Sequence, residues 1–322
     1  MFGQLLAVAR NAFVESIRQP FYVVWLCVVG GLVVLAPALS GYTFDNDNVF
    51  ATELLLSMLL VGGLILAAFT ASGVISREIE NRTALTVISK PIDRPVFILG
   101  KFLGIAGALV LAWWDWALLH LLTMRQGALS SAAIPWDLPV LTIGPIAVVA
   151  ALAIAVGQNY LFHRHFGGAL AKWLGILLPA ALLVVLPFDH DFAPQNPLTD
   201  LHWPILMAQF FVLQSIFLFA AVATACSTRL GQVPTLAICL IFFFVGVSTD
   251  FYFGNPSAGA GQRFFYAAFP NLRFQWLGDA LTIGTVLNIT RAYFVGVTLY
   301  TALLVAGILG LAVALFQTRQ AA

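Results

Sequence analysis

Charge is the scarcest thing in this 322-residue chain: 9% of its residues are Asp, Glu, Lys or Arg, against 61% hydrophobic. Soluble domains carry about 25% charged and roughly 45–50% apolar residues. The shortage excludes a disordered chain, a basic nucleic-acid binder and an ordinary soluble enzyme. Neither sign dominates, with 15 basic and 14 acidic residues and a formal net charge of +1, so no polyanionic partner is implied. Cysteine is rare as well. Cys27, Cys226 and Cys239 all sit in apolar stretches, and an odd, buried set argues against a disulfide framework and for small packing residues. Catalytic patterns are missing too. Gly100-Lys101 comes nearest to a phosphate loop, but Phe102 stands where Ser or Thr is needed and Pro95 occupies the first glycine position. No H-E-x-x-H, C-x-x-C or G-x-S-x-G occurs. The expectation is a non-enzyme with no catalytic residue, no metal site and no cofactor of its own.

What the chain has instead is long apolar runs. A helical span needs ~20 apolar residues, and eight runs qualify, at approximately 21–40, 53–76, 97–123, 139–161, 173–188, 204–225, 233–253 and 293–316. The fold class read from them is an all-α integral membrane protein with about eight transmembrane helices. A transmembrane barrel would show weak alternating segments instead. The fifth run is short and holds Pro179 and Pro187, which reads as a tilted or partly inserted helix. Residues 1–20 form a separate unit. Phe2, Leu5, Leu6, Ala9, Phe13 and Ile17 share one helical face, and Gln4, Asn11, Glu15 and Arg18 the other, the pattern of an amphipathic helix in the membrane interface. Pro20 breaks it before the polytopic domain, 21–322. With Arg10, Glu15 and Arg18 ahead of the first long run, no cleavable signal peptide is evident.

Orientation follows from the cations. An inside N-terminus gives the cytoplasmic side Arg10, Arg18, Arg77, Arg82, Lys90, Arg94, Lys101, Arg164, Lys172, Arg229 and Arg319. Arg125, Arg263, Arg273 and Arg291 remain outside. Both termini are then cytoplasmic. The cytoplasmic loop 77–96 is the most charged stretch of the chain. The outer loop 254–290 keeps Phe264, Phe265, Tyr266, Phe269, Phe274 and Trp276, and reads as short helices resting at the outer interface, where aromatic rings collect.

Within the spans, Asp115 and His120 are the polar candidates. An ionisable group at membrane depth is costly and functional by default; the plainer reading is a bundle partner or a water-filled cleft. Five positions of separation make a pairing of the two along one helix face poor. Gln158 and Asn159 suit hydrogen bonds between helices. His163-Arg164-His165 reads as a loop anchored by positive charge, and Asp189-His190-Asp191 as a solvated turn. Gly100-x-x-x-Gly104 permits close helix approach.

One stretch is more specific. Ser76-Arg77-Glu78-Ile79-Glu80-Asn81-Arg82-Thr83, then Ile88-Ser89-Lys90-Pro91-Ile92-Asp93-Arg94, then Gly100-Lys101-Phe102-Leu103-Gly104, resembles the ABC-2 family of ABC-transporter permeases. Members typically carry an acidic pair, a Thr, a Ser-x-Pro-[IV]-x-Arg turn and a Gly-Lys opening the third span. Arg82 departs from the Gly that many members have before the Thr. Cys226-Ser227-Thr228-Arg229-Leu230 looks like the family's short inner turn, and Phe269-Pro270-Asn271-Leu272 with Trp276-Leu277-Gly278-Asp279-Ala280-Leu281 like its outer loop. Six core spans are usual there, so 139–188 reads as an extra hairpin.

The resemblance implies a transmembrane permease subunit, an exporter, multi-pass in the cell inner (plasma) membrane. It further implies a separate ATP-binding subunit holding ATP and Mg, and a second permease chain, identical or paralogous. By the same resemblance 77–96 is the coupling loop, with Glu78, Glu80, Arg82, Thr83, Pro91, Asp93 and Arg94 facing the ATPase, and 1–20 is the connecting helix. Two alternatives stay open. The chain is a membrane anchor or mechanotransmitting subunit serving an outer-side partner, or a proton-coupled carrier with Asp115 as its relay.

Overall fold

The computed structural model describes residues 2–39, 47–80, 93–127, 136–254, 259–268, 270–278, 281 and 290–318. Among these the named elements are all helical: α1 (Phe2–Ile17), α2 (Pro20–Leu39), α3 (Asp47–Glu80), α4 (Arg94–Gln126), α5 (Leu138–Phe162), α6 (Phe166–Val185), α7 (Trp203–Ser227), α8 (Gln232–Phe253), α9 (Ala260–Ala268), the 3-10 turn η1 (Leu272–Gln275) and α10 (Arg291–Thr318). Eight of them, α2 to α8 and α10, are long and apolar enough to cross a membrane. The protein is a multi-pass, all-α membrane protein. The end from which α3 and α4 run into 81–92 is called inner here and the other outer, after the charge bias.

The bundle has a centre and a rim. Helix α7 is 78% buried over its apolar window, α3 67% and α4 61%, whereas α8 and α10 are 17% buried. Helix α4 is the hub, packed against α1, α2, α3, α6 and α7. Its sequence explains how. In Trp113-Trp114-Asp115-Trp116 each indole turns to a different neighbour and donates to a main-chain carbonyl there: Trp113 to Gln209 O on α7 (3.1 Å), Trp114 to Gly175 O on α6 (3.1 Å) and Trp116 to Leu26 O on α2 (3.0 Å). Tyr22 on α2 donates back to Ala108 O (2.9 Å) and Trp25 to Gly62 O on α3 (2.9 Å). Burying an aromatic ring with its polar handle satisfied adds packing area without an orphaned donor.

Three expectations change. The fifth span is a full 20-residue helix that begins at Phe166, not 173. Pro187 lies beyond its end, and Pro179 is accommodated inside it. Lys172 does not stop it, because its ammonium sits 5.8 Å from the Trp173 ring centroid. Asn159 does not bridge helices but donates to Arg164 O (2.7 Å) in the α5–α6 turn, where His163 takes a left-handed conformation (φ 51°). Nor does the outer segment merely rest at the interface. Leu272 packs onto Gly246 of α8 so closely that a Cβ there would lie 2.7 Å from its Cγ. Buried Gln275 accepts from Ser215 (2.8 Å) and donates to Thr301 (2.6 Å), tying η1 to α7 and α10. Beside it, Tyr266 donates to Asp250 (3.2 Å); burial and then that carboxylate raise the phenol's pKa, against an opposing bond from Asn271.

Candidate functional site

The inner end of α4 is where the motif residues meet. Pro95 starts the helix, with Asp93 extended ahead of it (φ −60°, ψ 134°). One and two turns on, Gly100 and Gly104 expose bare backbone, and α1 lies directly on it. A Cβ at Gly100 would lie 2.8 Å from Val8 Cβ, and one at Gly104 2.5 Å from Ala12 Cβ and 2.7 Å from Phe13 N. The G-x-x-x-G is therefore a helix crossing, the use its spacing permits. The fully buried residues of α1 are Ala12 and Ser16, small enough for that crossing; of its apolar face, Phe13 and Ile17 pack on the core and Phe2 and Leu6 are exposed.

Between the two glycines, Lys101 is 1% exposed. Its ammonium pairs with Glu15 of α1 at 3.2 Å and with Glu78 of α3 at 2.5 Å, and lies 5.7 Å from the Phe97 ring centroid. One buried cation thus joins α1, α3 and α4. An ammonium taken out of water survives only when paired this well. Nearby, Ser76 of α3 donates to Ser227 O (3.2 Å) and Leu230 O (2.9 Å) in the α7–α8 turn. Arg94 donates to Gln317 O (3.1 Å) and Arg229 to Leu315 O (3.0 Å), two cations at the carboxyl end of α10 where its dipole favours them. A polar cavity of about 390 Å³, lined by Asn11, Glu15, Arg18, Gln19 and Gly73, opens beside the Lys101 cluster.

Of the expected coupling residues, Glu78 is in this cluster, Asp93 and Arg94 are exposed at the start of α4, and Glu80 ends α3. Arg82, Thr83 and Pro91 lie outside the described residues, as does the side chain of Glu80. Lys101 and Glu15 were missed as a pair. Lys101 stands seven residues inside α4, about 10 Å along it at helical rise, so a span begun at 94 would have marked it as an intramembrane charge.

Asp115 and His120 are both fully buried and point to different neighbours. Asp115 is next to Gly175 of α6, where a Cβ would lie 3.2 Å from its Oδ1, and neither carboxyl oxygen has a hydrogen-bond partner. His120 has Nδ1 3.0 Å from Gln209 Nε2 on α7, and its Nε2 is unpartnered. They do not act on one another, as their spacing indicates.

A second cluster, unforeseen, closes the outer end. Arg125 of α4 pairs with Asp137 (2.8 Å) and Asp200 (3.3 Å), and donates to Val185 O (2.8 Å) and Phe188 O. Asp137 accepts from Val140 N (2.9 Å) to cap α5, and its other oxygen lies 3.0 Å from His190 Nδ1. Of Asp189-His190-Asp191, His190 reaches this cluster through Asp137, while Asp189 and Asp191 are exposed in the turn. Among the described residues no group of three His, Cys, Asp or Glu is arranged to hold a metal ion. No protein-family model matches the chain, and no curated protein matches it.

Proposed function

We propose that the chain is the transmembrane permease subunit of an ATP-binding cassette transporter of the ABC-2 type, an exporter in the plasma membrane driven by a separate ATPase subunit. The observation that carries this reading is the Lys101 cluster. Displacing the 81–92 segment pulls on the ends of α3 and α4, and Lys101 binds both to α1, so the three respond as a unit. That is what a subunit needs if ATP is hydrolysed by a partner docked below it. ATP and Mg belong to that partner, and two permease chains enclose the path between them by rigid-body rearrangement.

Affinity purification of the full chain in mild detergent, with identification of every co-purifying chain, tests the reading. A stoichiometric subunit bearing a complete phosphate loop is expected, and its capture is lost when Arg82, Thr83 and Arg94 are together replaced by Ala. A chain that purifies alone and moves substrate on a proton gradient overturns the proposal. The carrier alternative draws on one observation, the unpartnered carboxyl of Asp115 in the middle of the bundle.

A further inference from the structure

Between the outer halves of α2, α4 and α5 lies a half-enclosed crevice of about 350 Å³. We infer that it is a discrete binding site for one acyl chain of an outer-leaflet phospholipid, whether or not the chain transports anything.

Three features set the occupant. The first is length. The wall formed by α5 runs from Val140 to Val149, about 14 Å at helical rise, against ~15 Å for half of a bilayer's hydrocarbon core. The crevice therefore spans one leaflet and stops. The second is polarity. The lining is apolar except at the outer mouth, where Thr123, Gln126 and Trp136 gather. Trp136 is 61% exposed, as a ring at headgroup level is. The Gln126 carbonyl oxygen accepts from Asp137 N (3.0 Å), which fixes the amide so that its NH2 group is the donor available to an ester carbonyl at the head of the chain.

The third feature is that the sequence keeps the space open. Gly144 lines the crevice, and a Cβ on it would meet nothing within 4 Å. A larger apolar residue would close the gap without a clash, and glycine is disfavoured inside a helix. The next residue is Pro145, and Pro37 stands opposite on α2, each inside the helix that forms its wall and each withholding a backbone N–H from it. A dry void in a bundle forfeits the contacts of its lining. In a bilayer the molecule at hand to restore them, of this length and with one polar end, is a lipid chain.

Photolabelling tests the assignment. The full chain is reconstituted in vesicles of phosphatidylcholine with a minor fraction of a phosphatidylcholine carrying a diazirine along one chain, then irradiated and mapped by mass spectrometry. Labelling at 140–149 should saturate at low probe and be competed by unlabelled phosphatidylcholine. It should fall several-fold in Gly144→Leu and stay near the parent level in Gly144→Ala. The exposed faces around Phe244 on α8 and Leu303 on α10, 64% and 73% exposed, act as the control: their labelling should track bulk probe and be equal in all three proteins, which also reports that the variants are folded. Non-saturable labelling at 140–149 at the density of those control faces, or labelling that Gly144→Leu leaves unchanged in a folded protein, overturns the site.

Discussion

Helix α4 buries an ammonium near its inner end and a guanidinium near its outer end, and each cation faces two carboxylates. Their surroundings differ. Lys101 is held by Glu15 and Glu78, long side chains from two other helices that keep some contact with water, 38% and 18% exposed. Arg125 is held by Asp137, which is fully buried, by Asp200, and by two main-chain carbonyls. The outer partners are short or backbone, and the planar guanidinium fork fits a fixed arrangement of acceptors. The inner partners reach Lys101 through several rotatable bonds, and an ammonium has no preferred plane. The outer cluster therefore fixes α4 against the α5–α6 hairpin, while the inner one keeps three helices paired through a range of displacements. The deformable end is the one next to 81–92.

The sharpest way to break this contrast is at Arg125. Arg125→Ala takes the guanidinium from fully buried Asp137, which keeps the Val140 N–H and half-buried His190, and removes one of two donors from each of the Val185 and Phe188 carbonyls, at a cost of about 3–5 kcal/mol. Thermal unfolding in detergent should register this as a large drop in Tm, with Arg125→Lys recovering only a part, because an ammonium cannot serve all four acceptors. A fully recovered Tm in the lysine variant would remove the distinction between the ends. Lys101→Met should cost less, about 1–3 kcal/mol, since Glu15 and Glu78 can turn to water. Its characteristic effect is on α1, which should become accessible to protease while the spans stay intact. Under the ATP-driven reading it should also uncouple ATP hydrolysis from transport in the assembled complex. An unchanged digestion pattern with unchanged coupling would reduce Lys101 to a passive ion pair. Glu78→Ala alone cannot make this test cleanly, because it disturbs fold and coupling together.

Sequence reading located the spans but not their faces, and the cause is physical. Each span is a sum over some twenty residues, so hydropathy finds it even where an end is misplaced. Helix α6 was begun late because Gly167, Gly168 and Lys172 resemble a loop in sequence, whereas in the bundle Gly167 packs beside Val23 and Ile17. In lipid, hydrophobicity no longer separates inside from outside, and helices meet through small residues. That is why α1 crosses α4 through Ala12, Gly100 and Gly104 rather than through its large residues. The motif 76–104 drew attention to the inner end of α4, where Glu78 pairs with Lys101. The partners of Arg125 were not legible in the sequence. Asp137, Val185, Phe188 and Asp200 come from separate segments of the fold, and no local spacing pairs them.

The smallest effect is expected between the two clusters, at Asp115. Its carboxyl group is fully enclosed without a hydrogen-bond partner, so it pays for burial with no interaction in return. Asp115→Asn keeps the shape and exchanges one unpartnered buried polar group for another that cannot ionise, so stability should change by less than about 1 kcal/mol in either direction. Under the ATP-driven reading, transport by the assembled complex should also be nearly unchanged, because force enters at Lys101 and α4 carries it past Asp115 without using the carboxyl. Under the carrier reading the same variant abolishes uptake driven by a proton gradient, since an amide cannot release and rebind the proton. One substitution that leaves the fold intact therefore separates the two, and a folded but transport-dead Asp115→Asn would move the working site from the inner end of α4 to its middle.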